Sequence, residues 1–196
     1  MSISLNSFSD LIKSFQYNNI VKNPTFESTS GWAIVGNSGT ISAESNTLKI
    51  TANGNYSYAI VYQGHDMSQI QQNYKFYQVA DMRVTNPDCS RIDLYIYDGL
   101  SYTKTQNTPI QNEWYKLSQI VTITNASPTL FRTYFRHVYS DAGTATGKVM
   151  EVKNSMLINL TSLFGQGNEP SLNDCNDIFK FVDGNTQPNF SKQIAI

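Results

Sequence analysis

The 196-residue sequence is poor in the side chains from which most catalytic sites are assembled. It has two histidines, His65 and His137, and neither has a serine or cysteine near it in a nucleophile turn. General acid–base chemistry near neutral pH draws first on that residue type. The two cysteines, Cys89 and Cys175, are too few for a disulfide scaffold and have no metal-ligand spacing, so both are expected as free, buried thiols. Charge is scarce as well: 15% of residues are Asp, Glu, Lys or Arg, and the net charge is −1. That balance argues against nucleic-acid binding, which needs a basic footprint, and against an anionic membrane as partner. No apolar run approaches the roughly 18 residues of a membrane span. Met1 is not followed by the basic region and apolar core of a secretion signal. Fixed-period repeats and low-complexity tracts are missing. So is a phosphate loop, since Gly165-Gln166-Gly167 runs into a proline turn and follows no strand–helix pair.

What the chain does have is Asn, Ser, Thr and Gln for its surface, with 12 Tyr and 10 Phe for bulk. The same richness explains four Asn-x-Ser/Thr sequons, at Asn55, Asn125, Asn159 and Asn189, without invoking glycosylation. The length predicts one main domain with small appendages. The start at Met1 and the small size lead us to expect a complete, separately encoded protein.

Periodicity divides the chain in three. Leu5, Phe8, Ile12 and Phe15 are spaced three, four, three, which predicts a short N-terminal helix with an apolar seam. So short a helix is marginal alone, so the seam either docks on its own domain or joins copies from other subunits. From Ile20 the pattern is strands and turns. Strands are expected over residues 34–35, 40–43, 48–51, 57–63, 74–85, 91–98, 114–124, 130–138 and 148–152, the last leading into 156–160. In 91–98, Ile92, Leu94 and Ile96 alternate with Asp93, Tyr95 and Tyr97, which predicts one core face and one wet, aromatic face. Nine or ten short strands without interleaved helices predict a mainly β, jelly-roll β-sandwich. After it comes a C-terminal helical clasp: a turn begun by Thr161, a Gly165/Gly167 loop, then a helix opened by the capping box Ser171/Asp174. Leu172, Cys175, Ile178, Phe179 and Val182 should form the stripe it lays back on the sheet. The boundaries fall as 1–19, 20–160 and 161–196.

Candidate chemistry is confined to the aromatic face. Sugars present CH-rich faces that stack on tyrosine, flanked by hydroxyls that Asp and Arg bind. Asp93, Tyr95 and Tyr97, with Arg132, Tyr134 and Arg136 from a neighbouring strand, could supply both. The same tyrosines could equally fill cross-strand pairs or a subunit interface. Trp32 and Trp114 begin strands and are expected as packing anchors. Asp81, Asp93 and Asp98 lie on adjacent candidate strands, so a carboxylate pair for glycoside hydrolysis stays open, but acids on a sheet face more often solvate than catalyse. The reading is therefore non-enzymatic.

Two stretches carry resemblances. Val21-Lys22-Asn23-Pro24-Thr25-Phe26-Glu27, followed by Gly31-Trp32, resembles the opening of galactose-binding-like, carbohydrate-binding-module jelly rolls. Glu113-Trp114-Tyr115-Lys116-Leu117-Ser118 is similar to the Trp-x-x-x-Ser strand of that family. In many members the glutamate matching Glu27 ligates a structural calcium with an acidic partner in the final strand. Here Lys153 and Asn154 stand where the acids would be, so the calcium that the resemblance implies at Glu27 lacks its acidic partner, and no other cofactor is expected.

Residues 157–161 and 164–170, then Cys175 and Phe181-Val182-Asp183-Gly184, resemble a segment at the C-terminal edge of such jelly rolls in bacteriophage tail-fibre, baseplate and appendage proteins. The resemblance implies a virion structural protein, made in the host cytoplasm. It would be homotrimeric, with other virion proteins as partners, and its jelly roll would either bind host-surface glycan or simply build the particle. Residues 1–19 would then attach or assemble it.

Overall fold

Strand β6 (Arg91–Tyr97) alternates apolar residues with charged and aromatic ones. Ile92, Leu94 and Ile96 turn into the main core, each at most 1% exposed, and leave the alternate residues on the outer face. The same period-2 logic recurs in β1 (Ala33–Ile34), β2 (Gly39–Glu44), β3 (Thr47–Ala52), β4 (Tyr58–Gly64) and β5 (Lys75–Val84). It continues in β7 (Tyr102–Asn107), β8 (Tyr115–Thr122), β9 (Arg132–Val138) and β10 (Val149–Asn159). The computed structural model describes residues 19–179. Its ten strands form two five-stranded sheets, ordered β1-β4-β9-β6-β7 and β2-β3-β10-β5-β8. All neighbours within each sheet run antiparallel.

The two inner faces share one core, in which Leu48, Ile50, Phe76, Met82, Phe131 and Phe135 are essentially inaccessible. Trp32 stacks on Phe135 at 4.8 Å and so is the packing anchor its position predicted. This is the mainly β sandwich the periodicity called for, with two differences in strand content. Strand β7 was not expected. Its Tyr-Thr-Lys-Thr-Gln-Asn sequence is polar because an edge strand needs to bury only half of each residue pair, here Thr103 and Thr105. The second difference lies in β10, a single strand rather than two pieces.

Strand β10 contains a bulge. Lys153 pairs with Asp81 and Met156 with Val79, so one extra residue is inserted, and Asn154 takes a left-handed φ of 53° to make room. The insertion reverses parity. Before it, Met150 and Val152 face the main core; after it, Leu157 does, and Met156 and Ile158 point outward. Asn19 satisfies backbone groups beside the bulge, donating to Ser155 O at 2.9 Å and accepting from Leu157 N at 3.0 Å.

Outward-pointing Met156 and Ile158 need a cover, and the clasp provides it. A one-turn helix α1 (Ala142–Ala145) precedes β10, and α2 (Leu160–Phe164) and α3 (Leu172–Ile178) follow it. Ser171 and Asp174 form the expected reciprocal capping box on α3. Cys175 and Phe179 then close a second cluster with Tyr77, Val79, Met156, Ile158 and Leu160. Glu169 pins the loop between the helices, accepting from Thr161 Oγ1 at 2.7 Å and Gly167 N at 3.0 Å and pairing with Lys75 Nζ at 3.2 Å. The helix ends at Ile178, so the Phe179 side chain is set by the C-cap rather than by a continued stripe. Val182 and the seam residues Leu5, Phe8, Ile12 and Phe15 lie outside the described residues. No helix among the described residues is long and apolar enough to cross a membrane.

Candidate functional site

Register sets the outer face of the β1-β4-β9-β6-β7 sheet in rows, and three of them carry the candidate residues. The first runs Gly64, Arg132, Tyr97, Tyr102; the second Tyr62, Tyr134, Tyr95, Lys104; the third Ile60, Arg136, Asp93, Gln106. All six residues singled out from the sequence, Asp93, Tyr95, Tyr97, Arg132, Tyr134 and Arg136, therefore share one surface. Tyr62, Tyr102 and Lys104 join them from strands that the sequence pattern had not linked to β6.

Within this face the rings make a continuous tyrosine layer. Tyr95 and Tyr134 stack at 4.6 Å with planes 2° apart, and Tyr97 and Tyr102 at 4.4 Å and 19°. Tyr62 meets Tyr134 at 5.7 Å, and Tyr102 meets Tyr95 edge-on at 5.7 Å. The Arg132 guanidinium sits 4.4 Å above Tyr62, and that of Arg136 5.4 Å above Tyr95.

The face expected to be wet is largely closed by its own side chains. Tyr95 is 7% and Tyr134 6% exposed, whereas Tyr102 on the edge strand is 63% exposed. Burial, more than any neighbouring charge, pushes the Tyr95 phenol above its usual range. Between the closed centre and the open edge lies a groove of about 370 Å³ lined by Ile60, Tyr95, Tyr102, Lys104 and Arg136.

Two buried amides hold the strands beneath that groove. Gln78 Nε2, from β5 in the other sheet, donates to Tyr95 O at 3.3 Å, and Gln119 Nε2 donates to Gln78 Oε1 at 2.6 Å and Thr103 O at 3.1 Å. These cross-sheet bonds fix β6 and β7, the strands that carry Tyr95, Tyr102 and Lys104.

The carboxylates do not assemble into a catalytic pair. Asp93 is fully buried: Arg136 contacts its Oδ2 through Nε at 2.6 Å and Nη2 at 2.5 Å, and Arg91 Nε lies 2.8 Å from its Oδ1. Asp98 accepts from the backbone N–H groups of Ser101 (2.7 Å), Leu100 (3.0 Å), Thr124 (3.1 Å) and Asn125 (3.2 Å). Burial opposes its ionisation, but these bonds outweigh it and hold the carboxyl down at about 2. Asp98 is thus a turn pin joining the β6–β7 hairpin to the segment after β8. Asp81 belongs to the other sheet, where Asn154 Nδ2 donates to it at 2.6 Å.

Neither histidine is available as a base. His65 Nε2 lies 2.8 Å from Thr133 Oγ1, His137 Nδ1 lies 3.1 Å from Tyr139 Oη, and burial lowers the two pKa values to about 4 and about 3. Burial pushes the Cys175 thiol up to about 12 and also raises that of Cys89.

The residues present do not fit a structural calcium. Glu27 is exposed, with Thr25 Oγ1 at 3.4 Å, and Asn154, a neutral amide where an acid would be needed, turns its Nδ2 to Asp81 at 2.6 Å. Among the described residues no three His, Cys, Asp or Glu side chains gather. A hard divalent ion wants about six to eight oxygens. The opening loop is closed instead by the Gln63 amide, which accepts from Lys22 N at 2.7 Å and donates to Lys22 O at 2.9 Å.

Trp114 departs from the packing role expected of it. It is half-buried, between the Arg83 guanidinium at 4.6 Å and the Lys153 ammonium at 4.1 Å.

No protein-family model matches the chain, and no curated protein matches it in sequence. Solved structures do resemble it. A family 16 carbohydrate-binding module is 16% identical with a TM-score of 0.53, over 72% of this chain and 100% of that one. A xylan-binding carbohydrate-binding module from Paenibacillus barcinonensis is 11% identical with a TM-score of 0.51, over 66% of this chain and 92% of that one. An arabinose-bound α-L-arabinofuranosidase is 12% identical with a TM-score of 0.59, over 82% of this chain but 29% of the enzyme. The chain therefore spans under a third of that enzyme's length. At such identities the likeness is one of fold: this is a two-sheet jelly roll of the carbohydrate-binding-module type.

Proposed function

We propose that this jelly roll is a non-enzymatic, glycan-contacting module. The observation that carries the reading is the tyrosine layer on the outer face of the β1-β4-β9-β6-β7 sheet, which ends in a groove beside exposed Tyr102. Stacked aromatic rings beside arginine and lysine donors suit the CH faces and hydroxyls of a sugar chain. The ion-paired burial of Asp93 and the backbone-saturated Asp98 support binding without hydrolysis.

In this reading Tyr102, Tyr97 and Arg136 meet the ligand. Tyr95, Tyr134 and Arg132 form the layer beneath, and Asp93 orients Arg136 and Arg91. On a glycan array, the chain should bind a defined subset of sugars. Tyr102→Ala should weaken that binding by about tenfold, the scale of one lost aromatic contact. Binding that survives Tyr102→Ala and Tyr97→Ala together would remove this face from the claim.

The wider setting we propose is a bacteriophage virion: a homotrimeric fibre, appendage or decoration protein that touches the host surface. Support comes from the resemblance of residues 157–184 to the C-terminal edge of phage jelly rolls. In that setting residues 1–19 attach and trimerise the protein, 20–160 form the binding domain, and 161–196 form the clasp. Detection of the protein in purified particles by mass spectrometry is the expected outcome; its absence from them would end the virion assignment.

A further inference from the structure

The charge on the tyrosine face is one-sided in a chain that is otherwise slightly acidic. The five strands of that sheet contain four cations, Arg91, Lys104, Arg132 and Arg136, and one carboxylate, Asp93. Asp93 is wholly buried between Arg91 and Arg136, so it offsets one of them and presents no anionic surface of its own. Lys104 is exposed and lines the groove. Arg132 lies over Tyr62, where the nearest groups are aromatic rings that favour its charge. Positive charge is therefore in excess along the face: Arg132 on the first row, Lys104 on the second, and the Arg91–Asp93–Arg136 group, with a net charge of one, spanning the third row and the next, where Arg91 pairs with Val138.

Successive rows lie about 7 Å apart along a strand, two residues of rise. A complement to this pattern carries repeated single negative charges along an extended chain. It also offers apolar ring faces to Tyr97 and Tyr102. Of the groups that sugars carry, a carboxylate supplies one charge per residue and matches the planar fork of arginine, whereas a phosphomonoester brings nearly two.

We propose that the groove between Lys104, Tyr102, Tyr95, Ile60 and Arg136 takes an acidic, carboxylate-bearing polysaccharide, a polyuronate, in preference to a neutral one. The inference rests on the glycan-contacting reading and deepens it by naming the ligand class. Tyr102 provides the stacking surface, Lys104 provides charge in the groove with Arg132 adding to the field from the layer beneath, and Arg136 donates to the ligand with the edge that Asp93 leaves free.

The test uses the full chain and calorimetric titration at about 50 mM salt, where surface charges are weakly screened. The probes are polygalacturonate, alginate and hyaluronan, each beside its carboxyl-reduced, neutral form. At least one uronate should bind about tenfold or more tighter than its reduced form. Lys104→Glu and Lys104→Gln should abolish that preference, lowering affinity for the uronate far more than for its reduced form, while leaving thermal melting unchanged, since Lys104 is exposed on an edge strand. Tyr102→Ala should weaken both forms.

Equal binding of charged and reduced polymers, with both Lys104 variants silent, overturns the acidic assignment and leaves glycan contact standing. Tighter binding of poly(glycerol phosphate) or of an oligothymidylate than of any uronate overturns the choice of carboxylate. No binding of any polymer, charged or neutral, overturns the inference together with the reading beneath it.

Discussion

A carboxylate can serve a ligand or a reaction only with the lone pairs its neighbours leave free. At Asp93 two arginines approach both oxygens, and at Asp98 four backbone N–H groups and two hydroxyls surround them. Both residues thereby hold strands and turns in place. The two histidines have a related fate, with a measurable consequence. Burial holds the pKa values of His65 and His137 at about 4 and about 3, against 6.5 in the unfolded chain. Above pH 6.5 neither state binds these protons, so stability is flat. As pH falls below that value the unfolded chain takes up protons that the folded core refuses. Stability then drops by about 1.4 kcal/mol per pH unit for each histidine, until the folded values are reached near pH 4 and below. Urea unfolding between pH 7 and pH 4 should show this slope, and replacing His137 with Gln should remove about half of it. A pH-independent midpoint across that window would mean the histidines are not held neutral.

At the scale of elements, the bulge in β10 is what gives the molecule a clasp. By inserting one residue it moves Met156 and Ile158 out of the main core, and Cys175 and Phe179 cover them. The covering cluster is separate from the main core, so its loss should stay local. Phe179, which is 1% exposed and stacks on Tyr77 at 5.5 Å, is the test position. Phe179→Ala should cost the clasp about 3 kcal/mol. Hydrogen exchange along Leu172–Ile178 should then accelerate by about a hundredfold, while the amides of Leu48 and Ile50 keep their protection. If both regions loosened together, the clasp would be an integral part of the sandwich. The capping box of α3 was readable in advance because a cap is a contact between residues three apart. Strand β7 was not, because its place beside β6 depends on the Asp98 turn pin and on the Gln78/Gln119 amides reaching across from the other sheet.

For the whole molecule, the two outer faces have different ends. The face of the β2-β3-β10-β5-β8 sheet is covered by α2 and α3 over Tyr77, Val79, Met156 and Ile158, while the opposite sheet presents tyrosines and cations. If residues 1–19 form a subunit seam, light scattering should give the mass of a trimer. Phe8→Asp with Ile12→Asp should reduce it to that of a monomer. An unchanged mass would eliminate the seam.

The sequence by itself determined what depends on short-range period and composition. That covers the alternating strands, the mainly β class, the Ser171/Asp174 cap and the scarcity of reactive groups. Tertiary structure alone decided which side chains share a surface, because register joins residues far apart in the chain. Arg136 meets Asp93 across 43 positions, and Gln78 meets Gln119 across 41. Pairing β6 with both β7 and β9 set Tyr102 and Lys104 beside Tyr95. Packing between charged neighbours turned Asp93 from a candidate ligand contact into a buried ion pair. Alternation tells a residue which face it occupies; only the neighbouring strands determine whether that face is covered, and by what.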